Sequence, residues 1–205
     1  MRKRIGIGCI VLGLLCLLTS VGFVVYNRYE AKTGETTSQT LLQNVQAGMD
    51  AAGRTEITVE ETPPETVPAE EFREMGTVPA GDYESIGILS IPVLELELPV
   101  LTDWSYEKLR SAPCHYYGSC YGSDFVIAAH NYPAHFGRLS QLQPGDLVLF
   151  TDVAGSVHCY EVVLLETLMP TATEEMITSG FDLSLYTCTP GGSSRVTVRC
   201  KTITP

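Results

Sequence analysis

The chain runs to 205 residues and carries 24 acidic against 13 basic side chains, a formal net charge of -11. An acidic exterior repels phosphate backbones, and no basic stripe interleaved with aromatic residues appears, so nucleic acid is excluded as an expected partner. The length allows one or two domains, and charge divides it further: four basic residues against Glu30 in 1–30, ten acidic against three basic in 31–82, and thirteen acidic against six basic in 83–205.

Residues 5–26 form a run of 22 without a charge. As a helix the run spans about 33 Å, the hydrocarbon thickness of a bilayer, so 1–30 reads as a single transmembrane anchor with a basic flank. Arg2, Lys3 and Arg4 precede the run, and the bias of basic residues toward the cytoplasm sends the rest of the chain outside. A cleaved signal peptide is the competing reading, but its apolar region is usually shorter and Ala-X-Ala is absent. Cys9 and Cys16 read as helix surface. Residues 31–82 are rich in Thr, Glu, Pro and Ala with few aromatics, too little apolar surface to offset ordering entropy, and read as an acidic linker. Within it Leu41, Leu42, Val45 and Met49 recur near helical spacing, which predicts a short, weak helix over 39–52; residues 55–79 are expected to be extended.

From Tyr83 the pattern changes to short strands separated by turn residues. Leu94, Leu96 and Leu98 alternate with Glu95 and Glu97; residues 125–129 are wholly apolar and end at His130; residues 147–151 and 157–165 flank a hairpin turn at 152–156. Short helices are expected around 106–110, 136–142 and 172–177. Seven or eight strands in about 120 residues, with a core no single flat sheet could cover, predict a mainly β domain over 83–205, closed or nearly closed as a β-barrel.

The last two strands carry the chemistry. Phe181, Leu183, Leu185 and Thr187 share one face, while Asp182, Ser184, Tyr186 and Cys188 share the other. The turn Thr189-Pro190-Gly191-Gly192-Ser193-Ser194 leads to a return strand opening at Arg195. If it closes a hairpin with Cys188 opposite Arg195, then Thr187 meets Val196, Leu185 meets Val198 and Leu183 meets Cys200, a register that works on both faces. The guanidinium then sits beside the sulfur, with opposing Cβ atoms about 5 Å apart, and Arg199, opposite Ser184, lies roughly 13 Å further along. A free thiol titrates near 8.5, so a cysteine nucleophile needs a neighbouring base or positive charge. His130 can supply both and can later protonate a leaving amine. Arg195 stays charged and can act only electrostatically, on an oxyanion, the substrate backbone or the thiolate.

Each of these residues also has a plainer reading. A cysteine is often a small buried hydrophobe, the preferred reading for Cys200 and Cys159. His130 could be a core histidine, with His135 its rival for chemistry and His115 and His158 surface or strand-face residues; Arg195 could be a strand-surface arginine, with Arg199 the runner-up. Seven cysteines leave Cys114, Cys120, Cys159 and Cys200 open to three pairings once Cys9, Cys16 and Cys188 are set aside, none demanded by the sequence. No CxxC or paired-histidine spacing supports zinc, and no acidic loop suggests calcium, so no metal and no cofactor is expected.

The segment Ser184-Leu185-Tyr186-Thr187-Cys188, followed by the turn and Arg195, resembles the signature of the sortases, usually Thr-Leu-X-Thr-Cys; Ser184 keeps a small hydroxyl in the first place. Phe125-Val126-Ile127-Ala128-Ala129-His130-Asn131, followed by Phe136-Gly137-Arg138-Leu139-Ser140-Gln141-Leu142 and Pro144-Gly145-Asp146-Leu147-Val148, resembles the sortase histidine region, with Ala129 where the family usually has Gly. With Ile86-Gly87-Ile88-Leu89-Ser90-Ile91-Pro92 the resemblance covers roughly 83–201 in three ordered blocks. It implies the sortase β-barrel and a membrane-anchored cysteine transpeptidase outside a Gram-positive cell. Cys188 would cleave a Leu-Pro-X-Thr-Gly-like (LPXTG-like) sorting signal between Thr and Gly, form a thioester, and pass the acyl group to an amine of a cell-wall precursor or a pilin lysine. The implied catalytic residues are Cys188, His130 and Arg195, with Thr187, Tyr186 and Asn131 as substrate contacts. No Asp-Pro-aromatic lid motif precedes the barrel, which leans toward an unlidded enzyme, and the short 166–181 connection leans toward a small, class D-like or unassigned sortase. A secreted cysteine hydrolase and a non-catalytic barrel that binds wall peptides are the alternative readings.

Overall fold

The computed structural model describes residues 2–55 and 74–203, with side chains over 10–52 and 74–203. Most of the stretch expected to be extended, 55–79, lies outside the described residues. A long helix, α1, covers Arg2–Thr55, and the contacts divide the chain between Thr33 and Gly34 into two units.

The first unit is helical from Arg2 and bears no packed core over its described side chains: Leu12, Leu15, Leu18, Val21 and Phe23 are all exposed. In water that surface is unfavourable by about 25 cal/mol per Å², whereas in a lipid medium it is the expected exterior. A helix long and apolar enough to cross a membrane, by length and composition, runs over Ile10–Ala52, and its exposed apolar side chains lie in this unit.

The second unit is a barrel with part of α1 against it. Nine strands are present among the described residues: β1 (Val78–Ala80), β2 (Tyr83–Ile91), β3 (Leu96–Leu101), β4 (Cys114–Tyr117), β5 (Phe125–Ala128), β6 (Leu147–Asp152), β7 (Val157–Leu168), β8 (Leu183–Cys188) and β9 (Arg195–Thr202). Hydrogen bonding runs in the order β1-β2-β3-β4-β5-β8-β9-β7-β6, and a further β2–β6 pairing closes eight of them into a ring, with β1 outside it. Closure removes free sheet edges. Gly87 makes it sterically possible: at φ 151°, a Cβ there would lie 2.1 Å from the Thr151 carbonyl oxygen of β6.

The core follows the alternation of the strands. Leu89, Ile91, Leu98, Phe125, Ile127, Phe136, Phe150, Leu183, Leu185 and Val198 pack into one cluster. The alternation at residues 94–98 is only partly strand. Pro92–Leu94 forms a 3-10 turn and Glu95 takes a left-handed conformation before β3, because proline supplies the first helical φ but no ladder donor. The expected short helices are present as α2 (Lys108–Ser111), a 3-10 turn at Leu139–Gln141, and α3 (Thr173–Ile177).

Leu41, Leu42 and Val45 of α1 are buried, and they pack with Val78, Ala80, Ile88, Leu101, Ala112 and Cys114 in a second cluster. Their helical spacing gathers them on one face, which the outer side of β1, β2 and β3 covers. Truncating Leu41 to alanine should lower the unfolding free energy by about 2–5 kcal/mol, while Gln43→Ala on the exposed face should change it by less than about 0.5 kcal/mol; urea unfolding of the detergent-solubilised chain measures both.

Candidate active site

Three neighbouring strands bring the expected residues to one end of the barrel. β8 and β9 pair antiparallel with Cys188 opposite Arg195, Thr187 opposite Val196, Leu185 opposite Val198 and Leu183 opposite Cys200, the register expected from the alternation. The turn between them is closed by Thr189 N–H donating to the Ser194 carbonyl and Gly192 N–H donating to the Thr189 carbonyl. Gly191 and Gly192 both sit at positive φ, 85° and 74°, which residues with a Cβ adopt only at a cost.

β5 pairs parallel with β8 at a constant offset, Phe125 with Leu183 through Ala128 with Tyr186. Beyond the strand the pairing continues, with Ala129 N–H donating to the Tyr186 carbonyl at 3.2 Å and the Thr187 hydroxyl donating to the Ala129 carbonyl at 2.8 Å. Carried two residues on, the same offset sets His130 level with Cys188. His130, Cys188 and Arg195 accordingly line one cleft of about 210 Å³. Arg195 donates through Nη1 to the carbonyls of Gly192 and Ser194, both at 3.2 Å, which turns its guanidinium back over the turn.

Aromatic residues supply the cleft wall. Trp104, Tyr106, Tyr116 and Tyr186 line it with Met169 and Met176; Tyr116 meets Tyr186 edge-on at 5.4 Å and Trp104 at 5.6 Å. Burial, reinforced by Tyr116, pushes the Tyr186 hydroxyl above its usual range, so it stays a neutral donor. Of the substrate contacts expected from the sequence, Tyr186 lines the cleft. Thr187 is buried and holds the Ala129 carbonyl, and Asn131 is half-buried directly after His130.

Histidine support comes from Tyr132 and Gly34, which the sequence did not single out. The His130 ring stacks on Tyr132 at 4.9 Å and 24°, and Tyr132 tilts against His135 at 5.5 Å. Gly34 of α1 backs Tyr132, since a Cβ there would come within 3.0 Å of its ring. A tyrosine two residues past a histidine is visible in the sequence, but its stacking is not. His135, the rival histidine, is fully buried. Neither of its ring nitrogens meets a partner at full hydrogen-bond geometry. Burial first, and repulsion from His130 second, push its pKa from 6.5 down to about 4, against a weak opposing pull from the Gly34 backbone.

Arg199 has a different task from Arg195. It is 2% exposed and donates to Glu166 at 2.7 Å, to Ser184 at 2.8 Å and to the carbonyls of Glu175 and Met176 in α3. It therefore ties α3, one wall of the cleft, to β7, β8 and β9. Cys114 and Cys200 are fully buried thiols, each pushed up to about 12 chiefly by burial, and Cys159 is a free, half-buried thiol.

A family model described as the sortase domain matches residues 89–203. The chain belongs to the sortase family. The barrel is the sortase fold. Among solved structures, sortase A from Corynebacterium diphtheriae superposes with a TM-score of 0.55 at 24% identity, over 60% of this chain and 62% of that one. Sortase C1 from Streptococcus suis gives 0.52 at 31% identity, over 59% and 74%, and sortase C-1 from Streptococcus pneumoniae gives 0.53 at 28%, over 59% and 68%. This sortase thus spans somewhat under two thirds of the diphtherial chain's length. No curated protein is significantly similar to it in sequence.

Two outcomes are expected of this sortase site. Replacing Arg199 with alanine strands Ser184, Glu166 and two carbonyls of α3, and should cost about 3–5 kcal/mol in urea unfolding. For His135, the unfolded imidazole titrates near 6.5 and the folded one near 4, so the unfolded chain takes up the proton first as pH falls. Stability should hold above about pH 6.5 and decline toward pH 4 by up to ~3 kcal/mol; thermal melts across that window should show the decline, and His135→Phe should flatten it.

Proposed function

We propose that this sortase is a membrane-anchored transpeptidase that cleaves an LPXTG-like sorting signal between Thr and Gly and transfers the upstream protein to an amine. The observation that carries the proposal is the convergence of Cys188, His130 and Arg195 on one aromatic-walled cleft. In this reading the Cys188 thiolate attacks the threonine carbonyl carbon and forms a carbon–sulfur bond, while the carbonyl oxygen becomes an oxyanion. Arg195 stabilises that charge, a role worth most where water is excluded. The tetrahedral species collapses, the carbon–nitrogen bond breaks, and protonated His130 gives its proton to the departing glycine nitrogen. An incoming amine then attacks the thioester, passes a proton to His130 and displaces the thiolate, which restores the site.

Tyr186, with the aromatic wall, is the proposed contact for the apolar part of the signal. Asn131 is the proposed contact at the β5 end, and buried Thr187 acts on the substrate only through the Ala129 carbonyl it holds. The acceptor we favour is a cell-wall precursor peptide over a pilin lysine, because no Asp-Pro-aromatic lid motif precedes the barrel. The apolar helix of the first unit is the proposed single-pass anchor, with Arg2, Lys3 and Arg4 on the cytoplasmic side and the barrel outside. A Gram-positive envelope is the setting such substrates imply.

Incubation with a fluorogenic LPXTG peptide and a triglycine acceptor tests the proposal. Cys188→Ala should abolish both cleavage and ligation, His130→Ala should nearly do so, and Arg195→Ala should lower kcat by a factor of about 10²–10³. Cleavage without any ligated product, at saturating acceptor, would instead identify a hydrolase.

A further inference from the structure

A second cluster of reactive side chains lies under the β6–β7 hairpin. Cys120 comes from the β4–β5 loop, Asp152 ends β6 and His158 follows Val157 at the start of β7; one ligating atom of each lies within 4.8 Å of the others. Cys120 and Asp152 are buried and His158 is half-buried. We propose that Cys120, Asp152 and His158 form a binding site for a divalent transition metal of the Zn2+ class, with water in the fourth position.

The donor set favours that class. A thiolate and an imidazole select a borderline-soft cation over Ca2+ or Mg2+, which take oxygen donors. The geometry is close to what the ion needs. Tetrahedral zinc with bonds of about 2.0–2.2 Å holds nitrogen and oxygen ligands roughly 3.4 Å apart, and His158 Nε2 lies 3.3 Å from Asp152 Oδ2. The sulfur, within 4.8 Å of the other two atoms, needs an inward movement of about 1.2 Å at most to reach an edge of about 3.6 Å.

The surroundings orient the ligands as outer-shell groups do in metal sites. Asp152 Oδ1 accepts the N–H groups of Ala154 and Ser156 at 3.0 and 2.9 Å, which satisfies the hairpin turn by itself. Oδ2 is left to the Tyr121 hydroxyl at 2.8 Å and to His158, in reach of the Cys120 sulfur. A residue that only capped the turn would need Oδ1 alone. The His158 ring is held edge-on by Tyr121 at 5.5 Å and packs against Phe150 at 6.2 Å. A carboxyl group only 1% exposed, with one oxygen directed at His158, is well matched to a cation. Metal binding releases the Cys120 proton and clips the loop that leads into β5, the strand carrying His130, onto the hairpin. The spacing hides the site in the sequence, because Cys120 meets the other two ligands only across the closed barrel.

The test uses full-length Cys188→Ala protein in detergent, stripped with chelator, so that the active-site thiol cannot bind the probe. Titration with Co2+ should give a thiolate-to-cobalt charge-transfer band and the intense visible bands of a tetrahedral site, saturating at one equivalent and reversed by Zn2+. Added Zn2+ should raise the Tm. Cys120→Ser should remove the charge-transfer band, His158→Gln at its half-buried position should weaken Co2+ binding at least tenfold, and Tyr121→Phe should weaken it about 10–100-fold, with circular dichroism confirming each fold. Absence of a charge-transfer band in the parent protein, or a band of equal strength in folded Cys120→Ser or folded His158→Gln, overturns the proposal.

Discussion

Cross-strand register is the constraint on which the site depends. Cys188 meets Arg195 because β8 and β9 pair one way, and a slip of a single residue would turn the sulfur to the opposite face. Several independent features hold that register. The apolar face of both strands is committed to the core through Leu183, Leu185 and Val198, the double-glycine turn fixes the loop length, and Arg199 pairs with Ser184 through a buried hydrogen bond at the far end. The parallel β5–β8 pairing extends the same logic to a third strand, so that Cys188, His130 and Arg195 come level at three strand ends.

Behind that row, the barrel supplies rigidity and the loops supply shape. The Thr187 hydroxyl locks the backbone immediately before His130, Tyr132 braces the ring from the side, and α1 braces Tyr132 through Gly34. Arg199 performs the matching task for α3. Positioning groups of this kind matter because a site displaced by 1 Å loses much of its effect even with every reactive atom present.

Much of the site was legible because local rules act on it directly. The alternation over 181–188, the glycine turn and the apolar return strand are consistent at every level, and they specify the Cys188–Arg195 pair without any knowledge of the rest of the fold. The apolar face of residues 41–49 was legible as a helix, but its partner was not: an acidic, aromatic-poor stretch looks like linker until the outer side of β1, β2 and β3 is there to cover Leu41, Leu42 and Val45. Residues 94–98 looked like alternating strand and begin instead with a 3-10 turn, because Pro92 favours a helical start over a ladder position.

The amino-acid sequence by itself determined the uncharged N-terminal run, the mainly β character of 83–205, and the hairpin that sets Cys188 opposite Arg195, since each of these depends on residues close along the chain. Tertiary structure decided that His130 lines the same cleft as Cys188 while His135 is buried, that Arg199 is structural, that aromatic residues of loops wall the cleft, and that Cys120, Asp152 and His158 converge. Those outcomes depend on barrel closure through the β2–β6 pairing and on the parallel register of β5 with β8. Long-range pairings of this kind are set by the simultaneous fit of every inward-facing side chain, which no short window of sequence contains.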